Sequence, residues 1–189
     1  MKHVRPAILM LVVMTLITGL VYPLAMTGLG QLLFPRQANG SLVMVNGKVV
    51  GSSIVGQLWT KPQYFHGRPS AAGKGYDPTA TGGTNYGPTS KKLIDATRAT
   101  LASLEKENPG ASGPPPMDLV TSSGSGIDPD ISPEGAYWQA PRVARARAVP
   151  VLQINALIAQ HVQGRTFGFL GEPHVNVLEL NLALDEMKP

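Results

Sequence analysis

Pro6-Ala7-Ile8-Leu9-Met10-Leu11-Val12-Val13-Met14 opens a run that continues to Phe34-Pro35 without a charged side chain. About 20 apolar residues suffice to cross a bilayer as a helix, and a helix pairs its own backbone groups, as lipid requires. Pro23 lies inside the run and is expected to kink it or weaken one turn. Lys2 and Arg5 precede the run and Arg36 follows it. This bias predicts a cytoplasmic N-terminus (1–6), a transmembrane helix (7–34) and an extracytoplasmic domain (35–189). The competing reading is a cleaved signal peptide, but the run is long for one and no A-x-A site closes it.

Beyond the run the chain turns polar and rich in turn residues. Of 189 residues, 21 are Gly and 17 are Pro, enough for one modest core with long loops between its elements. There is no cysteine, which excludes disulfides, thiolate metal sites and cysteine nucleophiles. A net charge of +4, half of it ahead of the domain, is too dilute for a nucleic-acid surface.

Asn39-Gly40 and Asn46-Gly47 are turn dipeptides. Between and after them, Leu42–Val45, Val49-Val50 and Ile54-Val55 read as two or three short strands. Residues 61–90 hold ten Gly or Pro together with Phe65, His66, Arg68 and Asn85. That is too aromatic for a disordered linker. It reads as a long ordered loop, either a binding element or a cover over the core.

Ser90 to Asn108 reads as a helix with Leu93, Ile94, Thr97, Leu101 and Leu104 on one face. Residues 109–116 are a Pro-rich spacer, and Leu119-Val120 reads as a short extended piece. Ser132-Pro133-Glu134 starts a second helix, which Pro141 is expected to break or restart before Arg147. Pro150 opens a third, with Ile154, Leu157, Ile158 and His161 on one face. Val175–Leu184 fits both a strand and a helix. The helix is favoured, because Asn176 and Glu179 make a capping pattern. The expected class is α+β: a single N-terminal transmembrane helix followed by one extracytoplasmic α+β domain.

Chemical motifs are scarce. The phosphate loop of a nucleotide hydrolase is missing, as is the Asp-Lys-Thr-Gly-Thr phosphorylation motif of a P-type ATPase. His3, His66, His161 and His174 have no metal-site spacing, so no metal is expected. Ser103-Leu104-Glu105-Lys106 matches S-x-x-K, the nucleophile motif of anchored serine hydrolases, without its companion motifs. Ser122-Ser123-Gly124-Ser125-Gly126 either cradles an anion through its backbone N–H groups or is a tight turn. Arg142, Arg145 and Arg147 share one short helical piece, and Trp138 lies four residues before Arg142. They make either a protein contact or a solvated basic face.

Longer motifs follow one another in order: Thr18-Gly19-Leu20-Val21-Tyr22-Pro23-Leu24, Phe34-Pro35-Arg36-Gln37-Ala38-Asn39-Gly40-Ser41, Tyr64-Phe65-His66-Gly67-Arg68-Pro69-Ser70, Gly82-Gly83-Thr84-Asn85, Leu119-Val120-Thr121 through Asp128, Trp138-Gln139-Ala140-Pro141-Arg142, and Val175-Asn176-Val177-Leu178-Glu179-Leu180-Asn181. In these the chain resembles the C subunits of the bacterial Kdp potassium-transporting ATPases over nearly its whole length. The resemblance implies a non-catalytic subunit of an ATP-driven potassium uptake complex in the bacterial inner membrane. Its partners would be a potassium-channel-like subunit, a P-type ATPase catalytic subunit and a small single-helix subunit.

It also implies a catalytic chaperone that raises the ATP affinity of the hydrolysing subunit. Within the family Ser122 to Gly126 is compared with an ABC-transporter signature loop, and Gln139 belongs to the same comparison; both would contact ATP. Phe65, His66, Arg68, Asn85, Trp138, Arg142 and Arg145 are then candidates for partner contact. The implied topology conflicts with direct ATP contact, because it puts the domain outside and ATP is inside. The alternatives left open are an anchored serine hydrolase using Ser103 and Lys106, and a direct nucleotide-binding module.

Overall fold

A computed structural model of the chain describes residues 3–187, so Lys2, one of the charges in the orientation argument, lies outside the described residues. The apolar run forms one helical stretch, Val4–Leu33. It comprises α1 (Val4–Leu16), a π-helical turn (Ile17–Val21) and α2 (Tyr22–Leu33). At 1.5 Å per residue it is about 45 Å long, ample for a hydrocarbon core of about 30 Å. None of its side chains is buried, so its apolar surface is bare on all sides. Pro23 does not break it. The π turn just ahead of Pro23 shifts the hydrogen-bond register where the missing N–H would otherwise leave a gap.

After the helix come a short turn, α3 (Pro35–Ala38), and the hairpin β1 (Leu42–Val45) and β2 (Lys48–Ser52). Asn46 and Gly47 take φ of 51° and 76°, the paired left-handed residues of a two-residue hairpin turn. The expected third strand at Ile54-Val55 is reduced to one bridge, Ser52 to Val55. Two compact units result, one ending at Val50 and one starting at Gly51.

The second unit carries α4 (Lys91–Glu107), α5 (Met117–Val120), β3 (Asp130–Ile131), α6 (Pro133–Arg147), α7 (Val151–His161), β4 (Val162–Gln163), β5 (His174–Asn176) and α8 (Val177–Glu186). The strands form an antiparallel sheet in the order β3-β5-β4, pairing Ile131 and Val162 with Val175. Phe65, Ala136, Ala140, Val143, Ile154, Ile158, Val175, Leu180 and Leu184 make the core, each fully buried. The inner face of α4 is only half-covered, and none of its residues is buried.

Ser90, which the sequence offers as a cap for α4, makes no side-chain cap bond, but two other caps act where the sequence placed them. Ser132 Oγ accepts from Gly135 N–H at 2.9 Å, and Asn176 Oδ1 accepts from Glu179 N–H at 3.2 Å; each satisfies an orphan donor of a first turn. The Val175–Leu184 ambiguity resolves as strand to Asn176 and helix from Val177. Two expectations fail. Leu119-Val120 is a helical turn, with both side chains turned into the domain. α6 runs unbroken through Pro141. The carbonyl that Pro141 leaves without a donor belongs to Tyr137, on the exposed side of the helix, where water can pair with it.

Candidate functional site

Residues 53–90 contain no helix or strand, yet Phe65 and Ala72 are fully buried and Tyr76 nearly so. A buried loop must find partners for its backbone, and here side chains provide them. Asn181 Oδ1 accepts from Phe65 N–H at 2.8 Å, and Asn181 Nδ2 donates to Phe65 C=O at 3.0 Å. One residue on, Gln139 Oε1 accepts from His66 N–H at 2.9 Å, and Gln139 Nε2 donates to His66 C=O at 3.0 Å. Two buried amides thus do for the loop what a neighbouring strand would do.

Arg142 completes this clamp. It donates from Nε to Asn108 Oδ1 (2.8 Å), from Nη1 to Pro62 C=O (2.6 Å) and Tyr64 C=O (2.9 Å), and from Nη2 to Gln139 Oε1 (2.7 Å). Burial pulls its pKa down to about 10, which leaves it charged at neutral pH. Four oxygen acceptors, rather than a contacting carboxylate, solvate that charge. The other arginines of α6 diverge. Arg145 is exposed. Arg147 bonds Gln63 C=O, Leu184 C=O and Asp185, and lies 5.1 Å from the Tyr64 ring centroid. The four candidate residues on α6 therefore do not form one surface.

The Ser/Gly loop is knitted into the same loop system. Ser123 Oγ accepts from Gly126 N–H at 2.9 Å, and Ser125 Oγ from Ile127 N–H at 3.2 Å. Gly82 N–H donates to Ser125 C=O at 2.8 Å, and Ser70 Oγ to Gly126 C=O at 2.5 Å. Gly126 has φ of +72°, and a Cβ there would stand 2.8 Å from Ala72 N and Gly82 O, so only glycine fits without strain. Beside it Arg68 pairs with Asp128 at 2.9 Å. Tyr76 Oη donates to Arg68 C=O, and its pKa is pushed up to about 12, first by burial and then by the Asp128 charge. The geometry is that of a turn, with the hydroxyls of Ser123 and Ser125 spent on their own backbone.

A cleft of about 590 Å³ opens between this loop system and α4, lined among others by Trp59, His66, Arg68, Lys74, Ser103 and Glu107. His66 Nδ1 lies 3.5 Å from Glu107 and Nε2 lies 3.1 Å from Lys61 C=O. Burial, and then the Arg142 charge, hold the His66 pKa below its ordinary value, against the pull of Lys61 C=O and Glu107. Ser103 Oγ donates to Glu107 Oε1 at 2.9 Å, so the S-x-x-K serine is hydrogen-bonded to a carboxylate. Trp59 Nε1 and Arg68 Nε are buried without an acceptor among the described residues.

The structure thus gathers buried Phe65, Gln139 and Arg142 and half-buried His66 into one cluster. It places Arg68 beside the Ser122–Gly126 loop and leaves Asn85 and Arg145 exposed. The Trp138 indole faces the spacer instead, donating to Gly113 C=O at 3.1 Å. Phe65, Trp138 and Arg142 hold the domain together from inside. Sequence reading singled out neither Asn181 nor Glu107, since each acts through a segment far away in the chain.

The profile of the family described as the c chain of the K+-transporting ATPase matches residues 4–186. This chain belongs to the KdpC family. Its relatives named potassium-transporting ATPase KdpC subunit include one from Methylobacterium nodulans, 54% identical over 99% of this chain and 98% of its own. One from Caulobacter vibrioides is 54% identical over 100% and 95%, and one from Myxococcus xanthus is 59% identical over 92% and 83%. The KdpC match runs through the apolar helix and the domain alike, so both units are part of what the family shares.

Proposed function

We propose that this KdpC-family chain is a non-catalytic subunit that assembles and stabilises an ATP-driven potassium uptake complex. It raises the ATP affinity of the hydrolysing subunit by coupling between separate sites. Residues 1–6 lie in the cytoplasm, 7–34 cross the bacterial inner membrane, and 35–189 stand outside it, over a potassium-channel-like subunit. Its other partners are the P-type ATPase subunit and a small single-helix subunit. Exposed Asn85 and Arg145 are available for such contacts.

The observation that carries this reading is the internal use of the polar groups that resemble ligand-binding ones. Gln139 is 1% exposed and bonded at both amide atoms. A direct ATP contact would have to break these bonds in exchange for those it makes. Coupling through the helix and the domain's docking asks for no such exchange. The serine hydrolase reading is weaker, because Ser103 is bonded to Glu107 rather than to a lysine.

The test is to express the partner subunits with and without this chain. Without it the complex falls apart or shows a raised KM for ATP. Normal assembly together with an unchanged KM contradicts the proposal.

A further inference from the structure

The connection from β4 to β5 ends in a tip at Thr166–Leu170. Thr166 N–H donates to Leu170 C=O and Leu170 N–H to Thr166 C=O, both at 2.9 Å. Gly168 N–H donates to Arg165 C=O at 3.0 Å, and Phe169 N–H to Thr166 C=O at 3.3 Å. Phe167 and Gly168 reverse the chain with φ of 54° and 81°. This turn closes the backbone donors of Thr166, Gly168, Phe169 and Leu170 within itself, leaves the Phe167 N–H open, and turns its apolar side chains outward. Phe167 is 85% exposed, Phe169 68% and Leu170 50%. At the neck Arg165 and Glu172 form an ion pair, so charge stands behind the apolar end.

Two rings exposed to this degree offer roughly 300 Å² of apolar surface. A free-standing protein interface needs about 800 Å² from each partner, and the tip alone falls well short of that. A lipid surface sets no such minimum for a domain that is already tethered beside it, since attachment raises the effective concentration. The hydrocarbon core requires backbone groups to be paired internally. The tip pairs the N–H groups of Thr166, Gly168, Phe169 and Leu170 but not the Phe167 N–H or the carbonyls of residues 167–169, which suits the hydrated interfacial layer and not the core. Aromatic rings ahead of a basic side chain are also the composition of a membrane interface.

We propose that the Thr166–Leu170 tip inserts into the interfacial layer of the bilayer crossed by the chain's own helix. Phe167, Phe169 and Leu170 enter at the headgroup–acyl boundary, and Arg165 stays among the phosphates. The inference rests on the reading that residues 7–34 span the membrane.

The native chain has no cysteine, so single-cysteine probes report one site each. Leu170→Cys, which keeps both rings, and Phe167→Cys are labelled with an environment-sensitive fluorophore. The full chain is reconstituted into phosphatidylethanolamine–phosphatidylglycerol vesicles. Met117→Cys, at a 71% exposed position of the same domain, is the control. The tip labels should shift to shorter wavelength, lose emission to lipids carrying a quencher in the upper acyl chain, and resist a water-soluble quencher. The Met117 label should do none of these. Tip labels as open to the aqueous quencher as the Met117 label overturn the proposal. So does protection that appears only after the other ATPase subunits are added, which would seat the tip on protein. A chain that fails to float with the vesicles overturns the spanning reading first and the tip with it.

Discussion

Phe65 and Phe167 both sit in glycine-rich loops, each within two residues of a glycine and directly after a hydroxyl-bearing residue. Phe65 is fully buried and Phe167 is 85% exposed. The difference lies in what pairs the backbone. At Phe65 the buried amide of Asn181 supplies both a donor and an acceptor, so the main chain can go inside and take its ring with it. At Phe167 the turn pairs the N–H groups on either side within itself, the Phe167 backbone is left to water, and nothing from the rest of the domain draws it in. An aromatic residue in a loop therefore goes where its backbone can be satisfied, and the polar residues elsewhere decide that.

The contrast is broken or sharpened most strongly by Phe65→Ala. Deleting a fully buried ring should cost about 4 kcal/mol, read from urea unfolding of the full chain in mild detergent. A loss near zero would mean that the loop is not part of the cooperative unit. Asn181→Leu keeps the volume but strands the Phe65 N–H and C=O in the core. At 1–3 kcal/mol for each group, the expected loss is about 3 kcal/mol. Wild-type stability in that variant would show that the amide clamp holds nothing.

The third test is alkaline. The folded Tyr76 phenol titrates at about 12, against 10.0 in the unfolded chain. Its contribution is therefore complete below pH 10 and is lost as pH rises from 10 towards 12. It amounts to roughly 2–3 kcal/mol. Phenolate absorbance followed alongside stability should show this loss in the wild type and its absence in Tyr76→Phe. At the small end, Phe167→Ala should change stability by no more than about 0.5 kcal/mol. A loss as large as that of Phe65→Ala would erase the comparison.

Much of the frame was readable beforehand. The apolar run, the Asn46-Gly47 turn, the caps at Ser132 and Asn176, and the inner face of α7 all follow from local rules acting within a few residues. Pro141 misled because the cost of a proline depends on where the orphaned carbonyl points, and that is set by which side of α6 faces the core. Leu119-Val120 misled because two apolar residues carry no period. Gln139 and Arg142 were read as ligand or partner contacts and Asn181 was given no role, since the backbone they hold is distant in sequence: 73 residues separate Gln139 from His66 and 116 separate Asn181 from Phe65. Spacing rules do not reach that far, and a polar residue bound for the interior looks the same as one bound for a ligand.

The account turns on which side of the membrane the domain occupies, because indirect coupling follows from separation of this domain from ATP. Ser125 is exposed and lies in the loop offered for nucleotide contact. In intact cells, Ser125→Cys should react with a membrane-impermeant thiol reagent added from outside. Protection until the inner membrane is opened, followed by full reaction, would contradict the account and return this loop to the same side as ATP.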